Sequence, residues 1–440
     1  MLEFTSRCLL AAVLCALPAS SQPVEDGLDA PSQAIASLRA LRGEEPPTEA
    51  AVEDYLLENA GTCADLCLQL LLRESVPALV EGKPQRLSIQ QENIILSALS
   101  RMPRDLVRES ADRELTGATE ERARVVACRV YGRIGTAYDV DLLFELACET
   151  DAEETTAALR AGFRDGLSHL LTHPDVAAEV ERKWPSSPKA LYEPTLLAMG
   201  DARDARVLPL LGDVITWSDE WASLAIAQVR LIGSSLDESL NRIVADSLAD
   251  RLDDSDARIR ESACIALGEL RSEEHIRDLI ALLDQSDRVV RGAAHKSLVR
   301  ISGESLPPNS RVWTLWYDRE RDAVDDMLAS LTDRALNGPP VPLLELLRDS
   351  TRLELGRHEL TEALTPAVDH TNDEVRLTAC RVLMQLGSPL AIDALLHALG
   401  DHEDDVRAAA LEALTSITGA DGLESLSEWR DYLDDRSELY

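Results

Sequence analysis

The segment DARIRESACIALGEL, residues 256–270, places apolar side chains at Ile259, Ala263, Leu267 and Leu270. This spacing puts all four side chains on one face of a helix. The four slots recur after 31, after 116 and after a further 31 residues, as Val290, Ala294, Leu298, Ile301; Val375, Ala379, Leu383, Leu386; and Val406, Ala410, Leu414, Ile417. Self-similarity at a fixed period predicts an all-α solenoid, in which each helical hairpin buries its apolar face against its neighbours.

A longer repeat covers the second half of the chain. Three distinctive residues recur at a spacing of 116: Cys264 with Cys380, Gly303 with Gly419, and Trp313 with Trp429. The sequence therefore predicts a duplicated module of two helical repeats, a glycine stop and a Trp-bearing segment. A fainter copy of the first repeat, at Arg124, Ala127, Cys128 and Gly132, extends the predicted array upstream.

These patterns divide the chain into six predicted segments. They are a signal peptide over 1–21, a polar tether over 22–47, an N-terminal helical cap over 48–118, degenerate repeats over 119–250, a repeat pair with a Trp tail over 251–320, and its duplicate over 321–440. Pro185 and Pro188 interrupt the array, which predicts a joint between two sub-arrays next to Trp184. No long stretch alternates with period two, so essentially no sheet is expected.

Composition limits the class of partner. The chain has 440 residues and a formal charge of −35, with 45% hydrophobic but only 4% aromatic residues. Closely stacked helices suit this composition better than an aromatic β core does. Nucleic acid is excluded as the expected partner, since a phosphate backbone requires a basic surface. The charge indicates a soluble elongated surface, or else attraction of a basic partner protein or of divalent cations.

The N-terminus has the features of a secretory signal. Arg7 precedes the apolar run from Cys8 to Leu17, and small residues follow, with cleavage expected between Ala19 and Gln22. The run is too short to span a bilayer, and no later segment is long and apolar enough to do so. The sequence thus predicts an exported protein, periplasmic or extracellular, without a transmembrane segment.

The cysteines fit a buried role better than a disulfide scaffold. Cys128, Cys264 and Cys380 occupy the same slot beside the buried alanine in three separate units, which is typical of a small core residue. Cys63 and Cys67 lie one helical turn apart and would suit a metal pair, but no nearby His or Cys completes a zinc set. We therefore interpret all five as structural.

The repeats resemble the HEAT repeat family, and most closely its short variant, the phycobilisome-lyase-type HEAT-like repeat. The matching segments are DARIRESACIALG at 256–268 and DDVRAAALEAL at 404–414. The resemblance implies a right-handed α-α superhelix of the armadillo/HEAT type. Members of the family serve as scaffolds, adaptors and occasionally enzymes, so the resemblance indicates fold more than function. The Trp429 tail is also similar to tails of exported bacterial HEAT-repeat proteins.

Five aromatic residues of the two tails are candidate partner-binding residues: Trp313, Trp316, Tyr317, Trp429 and Tyr432. Large rings at these positions either cap exposed repeat cores or form stacking platforms for a ligand. Capping is the favoured interpretation. It predicts that alanine at Trp313 or Trp429 destabilises the fold.

His358 and Glu359 form the strongest candidate for chemistry. His-Glu steps hold the di-iron centre of one HEAT-repeat hydroxylase, the deoxyhypusine enzyme, but that family needs several such steps in register. The other His-Glu step here, His402-Glu403, falls in a turn and out of register. A solvated helix face is the favoured interpretation of His358, and no cofactor is expected. Pigment attachment is not supported either, because no distinct groove for a bilin can be identified.

Two further patterns have structural interpretations. Acidic clusters at 149–154, 253–256 and 401–405 fall before helices, where carboxylates cap N-termini. Loose cation binding is the alternative for these clusters. The arginines after the first slot, Arg260, Arg291, Arg376 and Arg407, are expected to bond to acidic turns of neighbouring units; a basic ladder for anions is the alternative.

The predicted function is a non-catalytic scaffold for protein–protein interaction in the cell envelope, with a metal-binding protein or enzyme centred on His358-Glu359 as the rival.

Overall fold

The computed structural model describes residues 29–42, 46–77, 84–115, 120–148, 155–331, 336–423 and 425–437. It divides the chain into an N-terminal unit that ends at Ala202 and a C-terminal unit that begins at Arg203. The predicted signal peptide over 1–21 and the acidic cluster over 149–154 lie outside the described residues.

The described part of the N-terminal unit is a stack of helices with one short pair of strands. Its helices are α1 (Ala30–Ala40), α2 (Glu49–Glu58), α3 (Ala60–Arg73), α4 (Ile89–Arg101), α5 (Arg104–Leu115), α6 (Glu121–Ile134), α7 (Val140–Ala147), α8 (Ala157–Leu170), α9 (Val176–Lys183) and α10 (Tyr192–Ala202). Strand β1 (Ser75–Val76) pairs antiparallel with β2 (Gln85–Arg86).

The described part of the C-terminal unit consists of helices and the loops that connect them, without a strand. Its helices are α11 (Leu208–Trp217), α12 (Ala222–Ile232), α13 (Glu238–Asp250), α14 (Ala257–Glu269), α15 (Ile276–Ala281), α16 (Arg288–Ser302), α17 (Ser310–Ser330), α18 (Pro340–Ser350), α19 (Arg357–Leu364), α20 (Asp373–Leu386), α21 (Ile392–Ala398), α22 (Asp404–Thr418) and α23 (Leu426–Ser437).

The predicted fold class is confirmed. The described residues are 77% helical with almost no sheet, an all-α superhelical repeat fold. The four slot helices are α14, α16, α20 and α22; α14 packs on α16 and α20 packs on α22, with the short helices α15 and α21 between them in the chain. Every slot residue except Ile417 is buried. The apolar stripe therefore forms the interface between successive hairpins.

The ends of the slot helices have the chemistry that the sequence predicts. Asp256 and Asn372 are N-caps whose side-chain oxygens accept hydrogen bonds from the backbone of Arg258 and Val375. The stops at Gly303 and Gly419 have φ values of +75° and +71°. Glycine suits these positions because other residues strain in the left-handed region.

Helices α6 and α8 approach more closely than an ordinary side chain allows. A Cβ atom added at Gly132 would lie 2.2 Å from the carbonyl oxygen of Gly166, and one added at Gly166 would lie 2.1 Å from the carbonyl oxygen of Cys128. In both cases the added Cβ atom would meet backbone atoms of the facing helix, which cannot move aside as a flexible side chain can. The glycines therefore set the distance between these two helices.

Three features of the structure differ in detail from the predicted segments. Residues 30–40 of the predicted tether form α1, whose Ala34, Ile35 and Leu38 are buried, so this part packs into the N-terminal unit. The chain divides between residues 202 and 203, not at Trp184. Trp184 is 1% exposed and lies within the N-terminal unit. Helix α17 continues through the predicted boundary at 320 because no proline or glycine interrupts residues 310–330.

The cysteines of the described residues are free thiols. Cys128, Cys264 and Cys380 are buried, as their shared slot predicts, and Cys63 and Cys67 are buried as well. Burial raises the pKa of the Cys128, Cys264 and Cys380 thiols to about 12. These thiols therefore stay protonated and act as small apolar core residues.

Candidate functional site

A groove runs along one side of the C-terminal unit. It consists of two recesses of about 440 and 390 Å³ that share the residues Glu238, Asn241, Leu270, Arg271 and His358. The rest of its lining comes from repeats far apart in sequence, for example Tyr317 and Arg321 at one end and Pro389 and Ile417 at the other. Ile417, the one slot residue that is not buried, therefore faces this groove.

The first wall of the groove is fixed by a buried asparagine. The side chain of Asn241 accepts a hydrogen bond from the backbone N–H of Ser235 at 2.8 Å and donates to the carbonyl of the same residue at 2.9 Å. These two hydrogen bonds close the turn between α12 and α13. The first turn of α13 thus presents Glu238 and Arg242 to the groove in a defined position.

His358 bridges the groove. Its Nε2 atom lies 2.9 Å from Oε1 of Glu238, and its Nδ1 atom lies 2.9 Å from Oγ of Ser388. The hydrogen bond with Glu238 raises the pKa of His358, against an opposing effect of burial; Glu273 raises it further and Arg357 lowers it. The imidazole therefore connects three segments that are not neighbours in the repeat order.

A second contact reinforces this bridge. The Glu273 carboxylate accepts hydrogen bonds from the backbone N–H of Gly356 at 2.6 Å and from Nε of Arg357 at 2.7 Å. Arg357 also donates to the carbonyl of Arg271 at 3.3 Å. Because the chain folds back to make these contacts, the start of α19 is attached directly to the end of the first strong repeat. These hydrogen bonds join the two segments that form the groove floor.

Two cations at the groove have no partner. Arg242 and Arg271 are exposed, and their guanidinium groups make no hydrogen bond or ion pair with the described residues. Most of the other charged groups around them are paired. The surface that remains available to a ligand is thus a hydrogen-bonded trough with two guanidinium groups that have no partner among the described residues.

The structure separates the five aromatic candidates. Trp313 and Trp429 are 0% exposed, and Trp316 is 4% exposed, so their rings lie in the core. Trp313 contacts Trp316 edge to face with ring centroids 5.4 Å apart, and Trp429 contacts Tyr432 in the same way at 5.8 Å. Tyr317 and Tyr432 are half-buried. Of the five, only these two tyrosines are partly exposed. Tyr317 lines the groove, and the guanidinium of Arg277 lies 5.0 Å from the centroid of its ring.

The side chains of His358 and Glu359 contact different residues and do not converge on one point. Whereas His358 faces Glu238, Glu359 pairs with Arg321 at 3.0 Å. His402 is 75% exposed in its turn, beside Asp401 and Glu403. The interpretation of His358 as part of a solvated helix face is wrong, because its side chain is only 34% exposed and both ring nitrogens are engaged. No short-range sequence signal could have shown this, since Glu238 lies 120 residues away.

The arrangement Ser388–His358–Glu238 has the connectivity of a hydrolytic triad but not its accessibility. Ser388 is 2% exposed and its Oγ also accepts from the backbone N–H of Leu390 at 3.4 Å. A nucleophilic serine must reach a substrate carbonyl, and this hydroxyl does not line the groove. The three side chains therefore act as a structural bridge.

The arginines that follow the first slot have a common role that differs from the expected one. Each donates from Nη1 to the backbone carbonyl six residues upstream: Arg260 to Asp254, Arg291 to Gln285, Arg376 to His370, and Arg407 to Asp401. These carbonyls end the preceding helical turn and lack helical partners. Only Arg376 also bonds an acidic side chain of the next unit, Asp401. The arginines thus stabilise their own hairpins.

This role predicts the effect of removing one arginine. We expect Arg291→Met to cost about 1.5–3 kcal/mol of the free energy of unfolding, because two carbonyls lose a charged donor. Arg288→Met is the matched control, since Arg288 is exposed and its side chain has no partner among the described residues; we expect a change within about 0.5 kcal/mol. Urea unfolding of both variants measures the difference. Equal effects would contradict the assignment.

The His358 bridge predicts a pH dependence of stability. Because the pKa of His358 is raised on folding, its contribution is fully present below the unfolded pKa of about 6.5 and is lost as the pH rises through the folded pKa. We expect the thermal midpoint of the wild type to fall towards that of His358→Gln as the pH rises above about 6.5. The thermal midpoint of Glu238→Gln, which lacks the other side of the bridge, should change with pH as that of His358→Gln does. A constant offset between wild type and both variants over this range would rule out the bridge as its source.

Comparison with known proteins agrees with the repeat assignment. The HEAT repeat family matches residues 244–308 and 343–436. Curated protein sequences gave no match. Solved structures with similarity include an engineered protein (15% identity, TM-score 0.30, covering 95% of this chain and 100% of that one), Kap121p (13%, 0.37, 92% and 52%) and human deoxyhypusine hydroxylase (17%, 0.25, 64% and 97%). Residues 244–308 and 343–436 of this chain are HEAT repeats.

Proposed function

We propose that this protein is a non-catalytic scaffold that binds an extended segment of a partner protein in the groove of its C-terminal unit. The observation that carries the proposal is the groove itself, a trough with a hydrogen-bonded floor and two guanidinium groups, Arg242 and Arg271, that have no partner among the described residues. An extended peptide offers backbone carbonyls and carboxylates to such groups along its length. Tyr317 adds a half-buried ring to the same surface.

The charge of the chain favours a partner that is basic overall. A net charge of −35 attracts a cationic protein over long range and raises the rate of association, an effect that salt reduces. The two free arginines then act at close range on acidic or carbonyl groups of the bound segment. Long-range attraction and local recognition are thus assigned to different parts of the surface.

The proposed scaffold acts outside the cytoplasm, in the cell envelope or the extracellular space. Support comes from the apolar run between Cys8 and Leu17 and the small residues that follow it. In the part of the chain that the structure describes, no helix has both the length and the apolar character needed to cross a membrane. Mass determination of the N-terminus of the native protein tests the export: a mature chain starting between residues 20 and 22 is expected, and an intact Met1 would contradict it.

The rival function, a metal centre or enzyme around His358 and Glu359, has little support from the geometry. His358 already contacts Glu238 and Ser388, and Glu359 already pairs with Arg321. Stoichiometric iron bound to the purified protein and lost in His358→Ala would favour this rival over the scaffold.

Charge reversal tests the groove directly. We expect the double variant Arg242→Glu/Arg271→Glu to lose about tenfold or more of its affinity for the native partner, which corresponds to about 1.4 kcal/mol. The matched control is Arg288→Glu/Arg311→Glu, which changes the net charge equally at two exposed arginines outside the groove. The measurement is quantitative capture of partner proteins by each variant at one salt concentration. Equal losses would show that overall charge, and not the groove, governs binding.

A further inference from the structure

A histidine and two carboxylates from separate elements meet at the edge of the groove. They are Asp246 of α13 and Glu274 and His275 at the start of α15, and their ligand atoms all lie within 4.8 Å of one another. Nε2 of His275 is 3.1 Å from Oδ1 of Asp246. Glu274 also lines the groove. Among the described residues, this is the one such set of three ligand-bearing side chains.

The imidazole of this set is held in place. Nδ1 of His275 lies 3.1 Å from Oδ2 of Asp278, one helical turn further along. A carboxylate on Nδ1 fixes the ring orientation and directs Nε2 towards the other two groups, which is the usual outer-shell partner of a metal-bound histidine. The side chain of His275 is only 13% exposed, whereas that of Asp246 is 65% exposed and accessible from solvent. The nitrogen ligand is thus preorganised and an oxygen ligand can adjust.

We propose that Asp246, Glu274 and His275 bind one divalent transition metal ion of the zinc class. One imidazole nitrogen with two carboxylate oxygens suits Zn²⁺ and its neighbours, whereas Mg²⁺ and Ca²⁺ prefer oxygen ligands alone. For metal–ligand bonds of about 2.0–2.1 Å the ligand atoms of a tetrahedral ion lie about 3.4 Å apart, and the Nε2–Oδ1 distance is already near that value. Three protein ligands leave a fourth position to water. Cys128, Cys264 and Cys380 are buried, and no cysteine belongs to a set of three possible ligands among the described residues.

Calorimetric titration of the metal-free full chain with zinc chloride tests the site. We expect binding of one Zn²⁺ per chain and no comparable binding of Mg²⁺ or Ca²⁺. His275→Gln should weaken zinc binding by about 100-fold, and Asp278→Asn, which removes only the outer-shell carboxylate, by about tenfold. The matched control is His397→Gln, because His397 is 76% exposed beside Asp369 and belongs to no such set. This control should retain wild-type affinity.

A second readout keeps the result clear if a variant is unstable. Asp246→Asn changes an exposed side chain and should keep the circular dichroism of the wild type while losing most zinc affinity. Co²⁺ bound to the wild type should show a spectrum of nitrogen and oxygen ligands without thiolate bands. No zinc binding, zinc binding that survives in both His275→Gln and Asp246→Asn, or thiolate bands with Co²⁺ would each overturn the proposal and leave His275 as an ion-pair partner of Asp246 and Asp278.

Discussion

A Gly166→Leu chain is expected to lose the fold of its N-terminal unit. The Cβ atom alone would lie 2.1 Å from the carbonyl oxygen of Cys128, and three further carbons would follow it into the contact between α6 and α8. Since backbone fills the space, relief requires the helices to separate along their whole contact. We expect a loss of more than about 4 kcal/mol, beyond the range of ordinary overpacking.

Gly61→Ala is the control within the same unit. Gly61 lies in α3, is exposed, and has nothing within 4 Å of its Cβ position. Alanine there should be neutral or stabilise the helix by up to about 1 kcal/mol. Chemical unfolding followed by far-UV circular dichroism compares the two variants with the wild type. A Gly166→Leu chain as stable as Gly61→Ala would show that the close approach of α6 and α8 is wrong.

Asp401→Ala is expected to be the most destabilising change in the C-terminal unit among substitutions of charged residues. Arg376 donates from Nε and Nη2 to Asp401 at 2.6 and 2.9 Å, and the two side chains are 7% and 8% exposed. Removal of the carboxylate takes away two of the five hydrogen bonds of a buried guanidinium and its ion-pair partner, at a cost of about 3–5 kcal/mol. Asp404→Ala is the control: Asp404 is 90% exposed in its pair with Arg407, and its loss should cost about 0.5 kcal/mol.

The same pair predicts a loss of stability in acid. The hydrogen bonds from Arg376 lower the pKa of Asp401 from 3.8 to about 2, although burial opposes the shift. Its contribution is therefore complete above the unfolded pKa and is lost as the pH falls through the folded value. The difference in unfolding free energy between wild type and Asp401→Asn should shrink from about pH 4 to about pH 2. A difference independent of pH in this interval would contradict the assigned ion pair.

The repeat core could be predicted from the sequence because its information is local. The slots of 256–270 lie within one helix, and their period places them on a shared face without knowledge of any partner. The same holds for the cap at Asp256 and the stop at Gly303. Cys264 was assigned correctly from its slot, since a position that recurs in several units has the same environment in each.

The groove could not be predicted, because its contacts do not follow the repeat. Glu238 and His358 come from segments 120 residues apart, and the start of α19 turns back to Glu273 through Gly356. The repeat of 31 residues does not predict a contact between segments this far apart in the chain. The target of Arg291 was missed for a different reason: a backbone carbonyl has no signature in the sequence, whereas the nearby acidic side chains do.

The aromatic residues of the two tails could be predicted only in part. The offset of 116 correctly paired Trp313 with Trp429, and both indoles are buried, as a capping role requires. Their residue type did not separate a core ring from a surface ring, because Trp is typical of both. Burial in the structure leaves Tyr317 as the one of the five candidate aromatics that lines the groove.

Site-specific photo-crosslinking tests the central claim, that the groove of the C-terminal unit is the surface that holds a partner. A photoreactive amino acid replaces Arg242 in the groove in one variant and Arg288, outside the groove, in another; both positions are exposed. Irradiation in native cells is predicted to give a discrete protein adduct at position 242, lost when Arg271→Glu is added, and none of that size at position 288. The same adduct at both positions, or an adduct at 288 alone, would contradict the account.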